Sequence, residues 1–297
     1  MATTVVVDSA GIVRTFSPGD TAATASAASH HLGLVAGDWR VATAPGLELL
    51  ARRSLDCPAL IDRLMADTRT AVDWLLNWFG VPDGGAPWGR TYTQVLLPQA
   101  PWAAMEHPGC VLVSELLLRA ERARRVAVLA HEAAHQWFGN LISPLSWPDV
   151  GIFEGLAELL GQLACEAVLG QEADSYLRLR RLAGPLAHPP AGPDLRALAI
   201  TAGLAEVAGP VQHAELLRAA RTEIGAAAFR ERIVDLVRRR TGATCGSDEV
   251  WEALGCPARR PRRLPLPQPG DAVVPARLPG IDGLALRDPT TAAERAR

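Results

Sequence analysis

Residues 131–135 read His-Glu-Ala-Ala-His, and a second glutamate, Glu154, follows His135 after eighteen intervening residues. If the stretch 125–140, RVAVLAHEAAHQWFGN, is helical, His131 and His135 lie one turn apart on one face with their ring nitrogens converging. Glu154 stands near the start of a second helical pattern, FEGLAELLGQLACEAVLG, and a two-helix hairpin brings its carboxylate back to the imidazoles. Two imidazoles and one carboxylate leave one position open, the donor set of a catalytic zinc site; structural zinc sites are closed by four protein ligands, mostly thiolates. The bland alternative is a pair of core histidines bonded to carbonyls. Glu132 weighs against it, because an acid on an otherwise apolar helix is costly without a cation or other partner. Rotated by about 100° from His131 on the helix, Glu132 is placed to act as general base toward a water acidified by the metal. Glu158, one turn past Glu154, can accept the second N–H of a ligand histidine and fix its tautomer. It reads equally as an exposed helix glutamate. Asp149 is a further candidate for the same supporting role.

These residues need elements to hold them. From residue 1 to about 115 the chain carries strand-like segments, among them TTVVV, GLELLARR and TYTQVLLP, separated by Gly/Pro turns. One amphipathic helix, from about Pro58 to Phe79, interrupts them. From about Glu115 to Gly170 the pattern is helical. Past the stretch AGPLAHPPAGP (183–193) it stays helical to about Leu254. The fold class expected is α+β: a mixed β-sheet lobe joined to a helical lobe, with a cleft at the junction. From Pro257 onward the sequence is rich in proline and arginine and is expected to be disordered or extended. Its arginines offer a surface to an acidic protein partner, although a solvated charge run is the plainer reading.

The 297 residues are 48 % hydrophobic and 21 % charged, with a net charge of −2, as in an ordinary globular protein. That charge gives no electrostatic argument for nucleic acid or an anionic membrane as partner. All 30 basic residues are arginine, so Schiff-base and lysine-base chemistry are excluded. The five cysteines are scattered, with no close CxxC pair, and read as reduced thiols of a cytoplasmic protein. The start, MATTVVVDSAG, has no basic region leading into an apolar stretch, so no signal peptide is expected, and no apolar run is long enough for a membrane span.

HEAAH, the eighteen-residue gap and Glu154 within FEGLAE resemble the aminopeptidase N family of gluzincin zinc metallopeptidases. QWFGNLI after the second histidine is similar to the same pattern. AAMEHPG (103–109) resembles the family's exopeptidase motif, usually Gly-x-Met-Glu-Asn, which falls here on Ala103, Ala104, Met105, Glu106 and His107. HLGLVAGDWRV, GLELLARRSL and YTQVLLP resemble the opening strands of the family's catalytic domain. The resemblance covers about residues 25–255. It implies a thermolysin-like (gluzincin) catalytic domain there, with the zinc site between a β-rich lobe to about 115 and a helical lobe after it. Residues 1–24 and 256–297 then flank the domain. It also implies a single zinc ion on His131, His135 and Glu154, and a peptide or small-molecule substrate. Glu106 would bind the substrate's free α-amine, and the backbone of Ala103, Ala104 and Met105 would pair with the substrate as an added strand.

Four departures accompany the resemblance. The family's oxyanion tyrosine stands about sixty residues past the third ligand, where this chain reads AGPVQHAEL; its only tyrosines are Tyr92 and Tyr176. His213, in that stretch, is a possible substitute donor, and reads otherwise as a partly exposed helix histidine. Ala103 replaces the motif's opening glycine, and Phe153 replaces the asparagine before the third ligand. The family's β-rich domain before the catalytic domain and helical domain after it are not expected within these residues. Three readings follow: a zinc hydrolase of an amide or related acyl bond; a zinc enzyme of other chemistry on a small biosynthetic intermediate; and a binding protein in which zinc is only a staple.

Overall fold

The computed structural model describes residues 4–8, 13–16, 33–82, 85–98, 100, 102–182 and 204–256. The 183–193 stretch and the chain from Pro257 onward therefore lie outside the described residues. Within them the fold is mixed α+β, built on a five-stranded sheet and a set of packed helices.

The sheet comprises β4 (Trp39–Ala44), β5 (Leu47–Arg52), β6 (Tyr92–Leu97), β7 (Ala104–Met105) and β8 (Cys110–Ser114), in the order β4-β5-β6-β8-β7. β4 and β5 form an antiparallel hairpin whose turn uses Gly46 at φ 66°, a left-handed position that suits glycine. β5, β6 and β8 run parallel. β6 and β8 are buried along nearly their whole length, as parallel strands covered on both faces must be. One face, through Leu49, Leu96, Val111 and Val113, joins the main core, while Leu50, Val95, Cys110 and Leu112 pack on the other with Trp39. The edge is β7, which returns antiparallel along β8 with Ala104 opposite Val113 and Met105 opposite Leu112. A separate three-stranded sheet pairs β1 (Thr4–Asp8) with β2 (Val13–Phe16) and with β3 (Gly33–Gly37). The parallel β1–β3 pairing crosses the boundary expected at residue 24.

The first helix, α1 (Pro58–Phe79), begins with proline in its first turn and ends at Gly80 in the left-handed conformation. Its span is the one expected from periodicity. Ile61, Leu64, Met65, Thr68, Ala71, Val72, Leu75 and Phe79 form its buried stripe. Asp67, buried on α1, accepts from Arg125 Nε at 2.8 Å and Arg122 Nε at 3.1 Å. Both arginines lie at the start of α2 (Arg122–Ala134), so one carboxylate sets how α2 lies on α1.

α2 is shorter than expected. The sequence suggests a helix through residue 140, but regular helical bonding stops at Ala134. α3 (Val150–Leu169) packs across α2 and is followed by α4 (Asp174–Leu182), α5 (Leu204–Ile224), α6 (Ala226–Arg240) and α7 (Ser247–Ala253). Two short strands, β9 (Ser143–Pro144) and β10 (Thr244–Cys245), pair in parallel and tie the end of this region back to the loop before α3. Among the described residues, no helix is long and apolar enough to cross a membrane.

Candidate metal centre

His131 lies in the last turn of α2 and His135 caps it, with His135 N–H bonded to His131 O at 3.2 Å. Beyond His135 the chain widens: the N–H groups of Asn140, Leu141 and Ile142 reach back five residues, to His135 O, Gln136 O and Trp137 O. Gly139 makes the bend at φ 119°. The early end of the helix has a chemical consequence. Phe138 O is turned to accept from His135 Nδ1 at 2.8 Å. A carbonyl can only accept, so Nδ1 carries a proton, and in the neutral ring His135 Nε2 keeps the lone pair.

That lone pair faces His131 Nε2 at 3.0 Å. Glu154, on the first turns of α3, brings Oε2 to 3.5 Å from His131 Nε2 and Oε1 to 3.6 Å from His135 Nε2. The three donor atoms lie within 4.8 Å of one another. Donors about 2.0–2.1 Å from a tetrahedral ion are separated by about 3.3 Å, so the observed spacings match those of a shared zinc. The electrostatics agree. Burial alone would lower the imidazole pKa values, but Glu154 and Glu158 raise His131 well above its ordinary value. Carboxylates including Glu154 and Glu106 push His135 up to about 9. Burial would raise Glu154, yet the two histidines hold it well below the usual carboxylate range. The trio is a partly buried cluster that favours positive charge, and its N/N/O donors suit zinc.

Glu132 is buried, and its Oε2 has no hydrogen-bond partner among the described residues. Its carboxyl is pushed up to about 7, chiefly by burial, with Glu106 and Glu154 adding and the two histidines opposing. A dication alongside would draw it down again.

Glu158 is the second buried acid, and it is fully engaged. Arg180 grips it with both prongs at 2.8 Å, and Gln162 Nε2 donates to Oε1 at 2.9 Å. Its Oε2 lies 3.4 Å from His131 Nδ1, a loose approach without ordinary hydrogen-bond geometry. Burial would raise this carboxyl, but Arg180 and His131 hold it well below the usual range. The reading of Glu158 as an exposed helix glutamate is therefore overturned. Asp149 is buried at the start of α3, where Oδ1 accepts from Ser247 N at 2.9 Å and Ser247 Oγ at 2.7 Å, and Oδ2 from Ser146 Oγ. These bonds anchor the entrance of α3 to α7.

Glu106 follows β7, and its loop is clamped to the turn after the second histidine. Asn140 Nδ2 donates to Glu106 O at 3.3 Å, Gln136 Nε2 to His107 O at 3.2 Å, and Gly109 N to Gln136 Oε1 at 2.9 Å. The Glu106 charge acts on both Glu132 and His135. Ala103, Ala104 and Met105 are half-buried along the sheet edge, with Ala103 O accepting from Ser114 N at 2.9 Å. His213, on α5, sits against the first turns of α3: a Cβ on Gly151 would fall 2.8 Å from its ring, and one on Gly155 only 2.3 Å from its Cβ.

Gln136, Asn140, Gln162, Arg180 and Gly161 went unmarked as site-building residues in the sequence. A Cβ on Gly161 would sit 2.7 Å from Ala127 O and 3.3 Å from His131 Cβ, so this glycine lets α3 approach α2 beside His131. Glycines inside an apolar helical pattern are the signal that could have exposed it. For Arg180, one of three arginines in LRLRRL, sequence carries no such mark.

Comparison with known proteins agrees with this geometry. Residues 67–183 match the Peptidase family M1 domain. Aminopeptidase M1-B of Oryza sativa subsp. japonica is 29 % identical over 209 residues, which are 63 % of this chain and 24 % of the rice protein. Aminopeptidase N of Streptomyces lividans is 31 % identical over 121 residues, 37 % of this chain and 14 % of that protein. Human aminopeptidase B is 31 % identical over 98 residues, 33 % of this chain and 15 % of its own. Over these residues the chain is thus similar to the aminopeptidase N (M1) peptidase family. It spans about a quarter or less of the length of these relatives.

Proposed function

We propose that the chain is a zinc-dependent hydrolase of aminopeptidase type, with a thermolysin-like catalytic fold and its zinc between the sheet and the helices. One observation carries the reading: three donor atoms from His131, His135 and Glu154 converge within 4.8 Å, beside a buried Glu132 whose Oε2 has no hydrogen-bond partner among the described residues. Zinc bound by those donors would supply Lewis acidity to a scissile carbonyl and acidify a water molecule.

The protein's own residues do the rest. Glu132 takes the proton of the attacking water and returns it to the leaving amine, a role open to a buried carboxylate beside the donor trio. Glu106 binds the ammonium of a free N-terminus by a charge-assisted hydrogen bond, which makes the site select for that end. The outer edge of β7 pairs with the substrate backbone, as an exposed strand edge can. Ala103 narrows that approach relative to the family's glycine. His213 takes the part of oxyanion donor in place of the family's tyrosine.

The test is turnover of a panel of aminoacyl arylamides and short peptides with zinc-loaded protein, with Glu132→Gln as the blank. Amide cleavage above that blank, lost when the substrate amine is acylated, is expected. If nothing in the panel is cleaved above it, hydrolysis is the wrong reaction. Glu106→Gln should remove the preference for a free amine.

A further inference from the structure

We propose that Arg180 is a positioning residue of the metal centre: by gripping Glu158 it fixes the outer partner of His131 and thereby sets how tightly zinc is held. The inference rests on the zinc reading above and extends it to a helix outside the ligand pair.

α4 presents Arg178, Arg180 and Arg181, and each side chain has a different fate. Arg178 is exposed, Arg181 pairs with Glu166, and Arg180 turns inward to Glu158. The contact is a parallel fork, Nε to Oε1 and an Nη to Oε2, both at 2.8 Å. A guanidinium makes such a fork and an ammonium cannot. The division of labour between the two oxygens matters. Oε1 has a second support, Gln162 Nε2 at 2.9 Å, and Gln162 is itself held by Arg218 at 2.7 Å. Oε2, which faces His131 Nδ1 at 3.4 Å, has Arg180 as its close donor. Without the fork, Glu158 keeps a hold on the oxygen turned away from the ligand histidine and loses control of the oxygen turned toward it.

Two effects of Arg180 on a bound dication oppose one another. Its charge repels the ion, but the carboxylate lies between them and neutralises it. Its fork orients Glu158, and outer partners of ligand histidines typically change metal affinity 10–100-fold. The orientation of the Glu158 carboxylate toward His131 should win, so loss of the fork weakens zinc.

Lysine separates the two effects, since Arg180→Lys keeps the charge and removes the fork. Zinc affinity of the full chain, read by chelator competition, should fall about tenfold or more in both Arg180→Lys and Arg180→Gln. Arg178→Gln should match wild type. The visible absorption bands of cobalt-loaded protein should shift in both Arg180 variants, which a purely structural staple of α4 would not cause. In a Glu158→Gln background, Arg180→Gln should produce no further loss. Wild-type affinity in Arg180→Lys, tighter zinc in Arg180→Gln, or an undiminished further loss in the Glu158→Gln background would each overturn the proposal. If Arg180→Gln does not fold, the lysine variant decides alone. A wild-type chain that binds no zinc through His131, His135 and Glu154 would overturn the zinc reading itself, whereas zinc-binding wild type with indifferent Arg180 variants overturns only this inference.

Discussion

Glu132 and Glu158 are both buried beside the two histidines, yet their surroundings treat them in opposite ways. Glu158 accepts from Arg180 and Gln162 and is held ionised. Glu132 has an oxygen with no partner among the described residues and is pushed up to about 7, first by burial. Environments that drive two carboxyl groups apart in this way assign them different work. Glu132 can accept and release a proton, while Glu158 is a fixed acceptor. Glu132→Gln should therefore cut amide turnover by on the order of 10²–10⁴-fold, the usual weight of a general base. Zinc content should remain about one per chain. Glu158→Gln should do the reverse, weakening zinc by roughly 10–100-fold with turnover largely restored at saturating metal. Metal analysis alongside the arylamide assay checks both. Zinc loss in Glu132→Gln, or full affinity in Glu158→Gln, would exchange or dissolve the two roles.

Between elements, the centre depends on how closely α3 can approach its neighbours, and glycine sets that distance. The space at Gly161 is closed by Ala127 O, a backbone atom of α2 that cannot rotate away. Gly161→Ala must push the helices apart, moving Glu154 on α3 relative to the histidines on α2. A cost of about 1–3 kcal/mol is expected for such overpacking, together with a weaker hold on zinc. Thermal unfolding of the metal-free form and chelator competition measure the two separately; an alanine variant with both unchanged would show that the helices have slack. Asp67→Asn tests the other side of α2. It leaves Arg125, only 11 % exposed, without its anionic partner, and breaking such a buried pair costs about 3 kcal/mol or more. Much of this arrangement was legible beforehand. The span of α1 follows from its apolar stripe, its first-turn proline and its closing glycine, and the convergence of His131, His135 and Glu154 from residue type and spacing. Local propensity did not reveal that α2 would stop at Ala134. The segment QWFGN is compatible with helix, and its bend is fixed by partners far away in sequence, Gln136 and Asn140 holding the Glu106 loop. Arg180 was invisible for the same reason, since the carboxylate that orients it lies 22 residues earlier, on another helix.

At the scale of the whole molecule, the donor set joins two helices that the rest of the core also joins. α2 is fastened to α1 through Asp67, and α3 is fastened to α7 through Asp149 and to α4 through Glu158. A metal at the crossing of α2 and α3 would therefore add to an existing core rather than create one, unlike the zinc of small domains that unfold without it. The metal-free chain should remain folded and still gain stability when zinc is supplied. At free zinc 100-fold above its dissociation constant, linkage gives about 2.7 kcal/mol. For a domain of this size each kcal/mol corresponds to roughly 2–4 °C, so the unfolding midpoint should rise by about 5–10 °C. The rise should grow with free zinc in the logarithmic manner that linkage requires and vanish in His135→Ala. Two other results would be decisive. Complete unfolding on chelation would make zinc the organiser of the core, and an equal rise in His135→Ala would place the ion somewhere other than between these helices.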